Sequence, residues 1–189
     1  MQVRLGRTTA MVVLVGVLWL LASGFRPAGA VVLYAKNEAL KLIFPEADSI
    51  EARPIFLTAQ QAARIEEMAR SPLESQLLTV HVGRRGDETL GYAFLDIHVV
   101  RTQPEALFVV LTSQGEVDSV LIVAFHEPLE YMPSDRWQAQ FAGRTLTPDL
   151  QVNRAIAPIS GATLSAHAMT DAVRRALAVF QVALQKAAP

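Results

Sequence analysis

The 189-residue chain contains no cysteine, which excludes disulfide bonds. The chain also has no run of basic residues. Its 17 Lys and Arg are balanced by 18 Asp and Glu, and the net charge at pH 7 is −1. Proteins that bind nucleic acid through surface charge carry clustered Lys and Arg. The sequence therefore argues against nucleic acid as a partner. It also contains no internal repeat, no linker and no low-complexity tract.

One long stretch near the start has no charge. Residues 10–25 read AMVVLVGVLWLLASGF, with Arg4 and Arg7 before them and Arg26 after them. Basic residues, an apolar run and then the small residues 28–30 (AGA) are typical of a cleavable secretory signal. The sequence therefore predicts a segment that engages a membrane.

The same segment also fits an uncleaved membrane anchor. Its 16 residues are short for a spanning helix, which needs about 20, but residues 31–33 add apolar length. Retention as an anchor is slightly favoured. We predict a signal peptide or N-terminal membrane anchor at residues 1–30 and an exported domain at residues 31–189.

The exported part is mildly acidic. Residues 1–30 contain three of the 17 basic residues and no acid, so 14 basic residues remain against 18 acidic ones, a net charge of −4. An oxidising compartment permits disulfides, yet this domain has none. Its length is sufficient to bury a core without them.

Helical periodicity marks several segments of this domain. Thr58 and Gln61 have the spacing of a capping box and predict a helix over residues 59–70. Short helices are predicted at residues 37–44 (NEALKLIF) and at residues 134–142 (SDRWQAQFA), where Ser134 is the cap. In the second of these, Trp137 and Phe141 should share a face.

The last helix is predicted from about Ser165 to Lys186, after a loop over residues 145–158. Asp171, Arg174 and Arg175 should lie mostly off its apolar stripe. The stripe consists of Leu164, Met169, Val173, Leu177, Phe180 and Leu184.

Strand periodicity and β-branched or aromatic residues mark four further segments. These are residues 76–82, 90–100, 106–112 and 117–125. Short turn-like sequences separate them, which predicts an antiparallel meander. Residues 107–111 and 120–123 are continuously apolar, so both faces of those strands should be covered. The predicted fold class is α+β, an antiparallel meander packed with helices and preceded by an N-terminal membrane-engaging helix.

Small and hydroxylated residues stand just before the last helix, at Ser160, Gly161, Ala162 and Thr163. Unpaired N–H groups and the helix dipole stabilise a phosphate at a helix start. Gly161 and Ala162 add little bulk, and the Thr163 hydroxyl can bind a phosphate or be esterified by one. The same residues also fit a simple helix cap. Spacing alone leaves both interpretations open.

The run SGATLSAHAM followed by a helix resembles the FMN-binding domain of the G subunit of Rnf electron-transport complexes and of the C subunit of sodium-pumping NADH:quinone reductase. An N-terminal membrane segment, an EALKLIFPEA stretch and a strand meander precede it in the same order. The resemblance implies that a dedicated flavin transferase joins FMN to Thr163 through a phosphoester. The implied recognition residues around it are Ser160, Gly161, Ala162 and Leu164.

Three other positions bear on this resemblance. It implies that His126 and Glu127 lie near the flavin ring, although their spacing to Pro128 is one residue shorter than in the family. The alternative is that His126 caps the end of a strand and that Glu127 is solvated. The family motif usually has an Asp where this chain has Ala157. The loss of that carboxylate is expected to weaken covalent attachment.

The resemblance implies electron transfer by a membrane-associated flavoprotein at the periplasmic face of a bacterial inner membrane, or exported to the periplasm. It would exchange electrons with a membrane redox complex or other donor and acceptor proteins. The alternatives are FMN bound without an ester and a flavin-free structural or sensory domain. If Thr163 is not the attachment site, Ser165 and Thr170 are next. No catalytic arrangement and no metal site are predicted. Aromatic residues that could stack on the ring are Tyr92, Phe94, Phe125, Tyr131 and Trp137.

Overall fold

The computed structural model describes residues 31–185, in which six strands form one antiparallel sheet of order β1-β6-β5-β4-β3-β2. The strands are β1 (Val31–Val32), β2 (Ser49–Phe56), β3 (Leu77–Arg85), β4 (Glu88–Val100), β5 (Gln103–Thr112) and β6 (Val117–Phe125). The helices are α1 (Lys36–Ile43), α2 (Ala59–Ala69), α3 (Asp135–Gln138) and α4 (Thr163–Val179). The α+β class and the antiparallel meander are confirmed.

Two predictions lie outside the described residues: the membrane-engaging helix within residues 1–30 and the end of the last helix at Lys186. Between residues 31 and 185, no helix is long and apolar enough to cross a bilayer.

The sheet has two strands more than the sequence predicts, β1 and β2. β2 contains Pro54 and the charged residues Glu51 and Arg53, which hide its strand character. Pro54 is tolerated because β2 is an edge strand that pairs only with β3.

The opposite edge of the sheet uses residues expected to extend the anchor. Val31 and Val32 pair with Phe125 and Ala124 of β6, and the amide of Leu33 donates to the Val123 carbonyl at 2.9 Å. The backbone of residues 31–33 therefore extends the sheet of the domain.

Both faces of the central strands are covered, as predicted for residues 107–111. Leu107, Val109 and Leu111 join a large core with α2 and α4 on one face of the sheet. Phe108 and Val110 join a smaller core with α1 on the other face. In residues 120–123 the pattern is weaker, since Val120 and Leu121 are half-buried.

The predicted caps are confirmed. Thr58 Oγ1 accepts from the Gln61 amide at 3.2 Å, and the Thr58 amide donates to Gln61 Oε1 at 2.9 Å. Ser134 Oγ accepts from the Trp137 amide at 3.3 Å, and α3 continues into a 3-10 turn over Ala139–Phe141. The Trp137 and Phe141 rings lie 5.4 Å apart on one face, as predicted.

The apolar stripe predicted for the last helix is wrong at two positions. Leu164 is 51% exposed, whereas Arg174 is 2% exposed. Arg174 is buried because its guanidinium donates to four backbone carbonyls, those of Met68, Ala69, Thr147 and Leu150, at 2.7–3.0 Å. Burial lowers the Arg174 pKa. Periodicity counts apolar side chains and cannot detect such acceptors.

Candidate functional site

The candidate site begins at the first turn of α4. Its N-cap is Ala162, whose methyl group cannot accept a hydrogen bond, and no side chain among residues 31–185 caps this helix. The helical hydrogen bonds start with the Ala166 amide, which donates to the Ala162 carbonyl at 3.1 Å. The amides of the preceding turn therefore have no acceptor within the helix. Neither Ser160 nor Thr163 acts as a side-chain cap, so the simple-cap interpretation is wrong.

Hydroxyl groups around this turn differ in accessibility. Thr163 and Ser160 are exposed, whereas Ser165 and Thr170 are buried against the sheet side of α4. Thr170 Oγ1 also donates to the Ala166 carbonyl at 2.7 Å. The two alternative attachment residues named from the sequence are therefore closed to a large ligand, and Thr163 is open.

The small residues of the motif have separate structural roles. Gly161 has φ +82°, a left-handed conformation that favours glycine, and a Cβ placed there would meet no atom within 4 Å. Ala162 is buried, and Leu164 is exposed beside Thr163. Open space on the Gly161 and Leu164 side allows a bulky group to approach the start of the helix.

Ala157, six residues before Thr163, is held through its backbone. Its amide donates to Gln140 Oε1 at 2.9 Å, and its carbonyl accepts from Trp137 Nε1 at 2.7 Å. The side chain of Ala157 is exposed. Because only the backbone of Ala157 makes these contacts, a larger side chain at residue 157 would leave both hydrogen bonds in place.

Helix α4 runs antiparallel to β4. The Phe180 ring lies 5.4 Å from the Tyr92 ring, and Arg175 bonds Asp96 four residues further along β4. Going back from Arg175 to Thr163 covers about 18 Å of helix, and going on from Asp96 to the turn after β4 covers about 17 Å of strand. We infer that Thr163 and the β4–β5 turn occupy the same end of the sheet.

Arg101 is the cation of that turn, and its φ is +53°. Its guanidinium lies 5.0 Å from the centre of the Tyr131 ring, and its Nη1 lies 3.6 Å from Glu127 Oε2. Glu127 is buried, so the expectation that it is solvated is wrong, and Arg101 compensates its charge. His126 Nδ1 lies 2.8 Å from the Pro104 carbonyl and stays at the end of β6, as expected for a strand cap.

Most of the predicted stacking aromatics belong to the core. Phe94, Phe125 and Trp137 are buried, and Tyr92 packs edge-on against Phe180. Tyr131 is the partly exposed member of this set that lies beside Arg101.

A polar cluster between β4, β5 and α4 was not predicted. His98 Nδ1 lies 2.8 Å from Asp96 Oδ1, and His98 Nε2 lies 3.4 Å from Glu105 Oε2. Arg175 donates to both Asp96 oxygens and to Ser71 Oγ. The alternation of Asp96 and His98 with Ile97 and Val99 is visible in the sequence, but it does not reveal which set faces the helices.

The charges of this cluster fix its protonation. Burial alone would lower the His98 pKa, but its hydrogen bond to Asp96 and the neighbouring Glu105 carboxylate raise it to about 9. Burial would raise the Asp96 pKa, but His98 and Arg175 lower it. His98 is therefore a cation at neutral pH. In residues 31–185 no group of His, Asp and Glu side chains is arranged to hold a metal ion.

A cleft of about 250 Å³ opens beside this cluster, where β3 and β4 separate beyond the Val80 and Phe94 pair. Along α4 it is lined from Ala172 to Val179, so its nearest helical residue lies about 14 Å from Thr163. The cleft is therefore separate from the first turn of α4.

Comparison of the chain with protein-family models gives no match, and comparison with curated proteins gives none either. The resemblance to FMN-binding domains stays a prediction that rests on the SGAT motif and the order of the segments.

Proposed function

We propose that the exported domain carries FMN esterified to Thr163 Oγ1 and transfers electrons at a membrane. The observation that supports this most directly is the exposed Thr163 hydroxyl at the first position of a long helix whose first turn no side chain caps. A phosphoester retains one negative charge, and the free amides of that turn stabilise it.

The size of this electrostatic effect favours a covalent link. A helix dipole stabilises an exposed anion by about 1 kcal/mol or less, which is about a five-fold gain in affinity. The space beside Gly161 is open, so this side of the turn adds no buried contact area. An ester therefore retains the flavin where non-covalent contacts at this turn would not.

When bound, FMN supplies the redox chemistry. The protein contributes an attachment point at Thr163 and, at the same end of the sheet, the Arg101 cation and the Tyr131 ring. Electron donor and acceptor proteins, for example in a membrane redox complex, complete the function.

The test is modification of the full chain in cells that also express a flavin transferase. Intact-mass spectrometry should show a gain equal to FMN less one water, and the band on a denaturing gel should fluoresce. Thr163→Ala should remove both signals, and Thr163→Ser should restore them. Thr145→Ala is the matched control, because Thr145 is also an exposed threonine but lies outside the motif.

Two results would contradict the proposal: unmodified wild-type mass despite an active transferase and ample flavin, or retained label in Thr163→Ala. Colour that disappears on denaturation would instead support non-covalent FMN.

A flavin-free structural or sensory domain is the second candidate. Ala157, with its exposed methyl group in place of the usual carboxylate, favours it. A colourless, unmodified protein in the same experiment would support this function.

A further inference from the structure

Large apolar residues are exposed on the sheet face opposite α2 and α4. Ile97 and Val99 continue the alternation of Ala93 and Leu95, which pack with α1 on this face, but α1 does not cover them. The exposed set, called here the apolar sheet face, consists of Val32 (67% exposed), Phe56 (75%), Leu77 (52%), Ile97 (55%) and Val99 (65%).

The strand register places these residues in two groups at one end of the sheet. Ile97 pairs with Ala106, Ala106 with Ala124, and Ala124 with Val32, so one apolar row crosses four strands. Phe56 pairs with Leu77 at the same end of the sheet. Single exposed apolar residues are ordinary, but several large ones on one face indicate an interaction surface.

Strands β2, β3 and β4 carry no charge at the exposed end of this face. The residues of β2, β3 and β4 that lie on this face at that end include no Asp, Glu, Lys or Arg; they are Ala52, Pro54, Phe56, Leu77, Thr79, Ile97 and Val99. At the other end of β3 and β4, Arg85 forms ion pairs with Glu46 and Glu88. His81 lies on this face too, but it is buried, and burial and the nearby Lys36 charge lower its pKa. The charged residues Asp96, His98 and Glu105 point toward α4 instead. The usual distribution, polar outside and apolar inside, is reversed at this end of β4.

The chain before β1 indicates what covers this surface. Residues 10–25 carry no charge, and only residues 26–30 separate them from Val31. Five residues span at most about 17 Å, and the row from Val32 to Ile97 crosses three strand spacings, about 14 Å. A bilayer that holds residues 10–25 therefore lies within about 17 Å of Val31, which is next to Val32 at one end of this row. Its apolar interior also requires none of the polar or charged partners that this face lacks.

We propose that the apolar sheet face rests on the phospholipid bilayer that holds residues 10–25, with Ile97 and Val99 at the boundary of the acyl chains. This placement turns α2 and α4 toward the aqueous side, where Thr163 stays accessible. The proposal depends on membrane anchoring of the N-terminal segment and is independent of flavin attachment.

The absence of cysteine makes a direct test possible. Single-cysteine variants of the full chain, Ile97→Cys and Val99→Cys, carry an environment-sensitive fluorophore and are reconstituted in vesicles that contain nitroxide-labelled phospholipids. Glu67→Cys is the matched control, because Glu67 lies on α2 on the other side of the sheet and its side chain is 71% exposed. The expected result is loss of most of the fluorescence at positions 97 and 99 and little loss at position 67.

Several outcomes would overturn the proposal. One is unquenched label at positions 97 and 99 in protein that floats with the vesicles, and another is equal quenching at all three positions. Energy transfer between labels at position 97 on different copies, without lipid quenching, would assign the surface to a second copy instead. Recovery of the protein free of vesicles would overturn it as well. The mass of the flavin adduct in the same samples tests Thr163 separately.

Discussion

Arg175 of α4 holds Asp96 of β4 with three hydrogen bonds of 2.8–3.0 Å, although the two residues are 79 positions apart. This ion pair attaches α4 to the sheet and, with His98 and Glu105, places charge inside the domain. Because strand side chains alternate, the same arrangement turns Ile97 and Val99 to the outside. The internal charge cluster and the apolar sheet face are two consequences of one strand register.

The stability of the domain should fall at alkaline pH because of His98. Its pKa is raised from 6.5 to about 9 in the folded protein. A raised pKa contributes stability that is complete below the unfolded value and is lost as pH rises through the folded value, here from about 6.5 to about 9. The maximum loss is about 3 kcal/mol. Urea unfolding at pH 6.5 and pH 9.5 measures it.

His98→Gln is the comparison for that experiment. The variant should be less stable than wild type at pH 6.5, and the difference should shrink toward pH 9.5. A difference between the two proteins that stays constant over this range would show that His98 does not titrate there.

Removal of the buried Arg174 guanidinium should destabilise the domain strongly. Arg174→Met fills similar space but leaves four carbonyls, among them the last ones of α2, without their donor. Unsatisfied buried acceptors and lost charge-assisted bonds should together cost about 3 kcal/mol or more. Thermal and urea unfolding measure this loss.

Arg64→Met is the matched control, because Arg64 forms only an exposed ion pair with Glu67 and should cost about 0.5 kcal/mol or less. The loss of unfolding free energy for Arg174→Lys should lie between the losses for these two Met variants, since an ammonium keeps the charge but not the planar set of donors. Equal effects of the Met variants at positions 64 and 174 would show that the four carbonyl contacts contribute little.

Substitution of Gly115 should reveal how closely the β5–β6 turn packs on the end of α4. Gly115 has φ +86°, and a Cβ at this position would overlap the ring of Phe180. Gly115→Ala should therefore cost about 3 kcal/mol from backbone strain and overpacking combined. Gly86→Ala separates the two causes, because Gly86 also has a positive φ but would place its Cβ in open space. Equal losses of unfolding free energy for Gly115→Ala and Gly86→Ala would show that overlap with the Phe180 ring contributes nothing.

Restoring the carboxylate of the motif should increase flavin attachment. Ala157→Asp leaves the backbone contacts to Trp137 and Gln140 available, so the fold should be unaffected. We expect a larger fraction of modified protein by intact mass than in wild type. Ala142→Asp places the same charge at an exposed position outside the motif and should not change the yield. An unchanged yield for Ala157→Asp would show that this carboxylate is not limiting.

Local sequence patterns were sufficient for much of the secondary structure. Strands β3 to β6 and the capping box at Thr58 depend on neighbours within a few residues, which a sequence displays directly. Strand β2 was missed because its assignment depends on its position at the sheet edge. Pro54 would break a central strand but not this one.

For the candidate site, the sequence by itself determined that Ser160 to Thr163 stand at the beginning of a helix, because small hydroxylated residues and helical periodicity are local signals. Only the tertiary structure decided that Thr163 is exposed while Ser165 and Thr170 are buried. It also decided that Arg174 and His98 lie inside and Ile97 and Val99 outside. Which face of a helix or strand is covered depends on partners distant in the chain, such as Ala69 for Arg174 and Glu105 for His98. No local period contains that information.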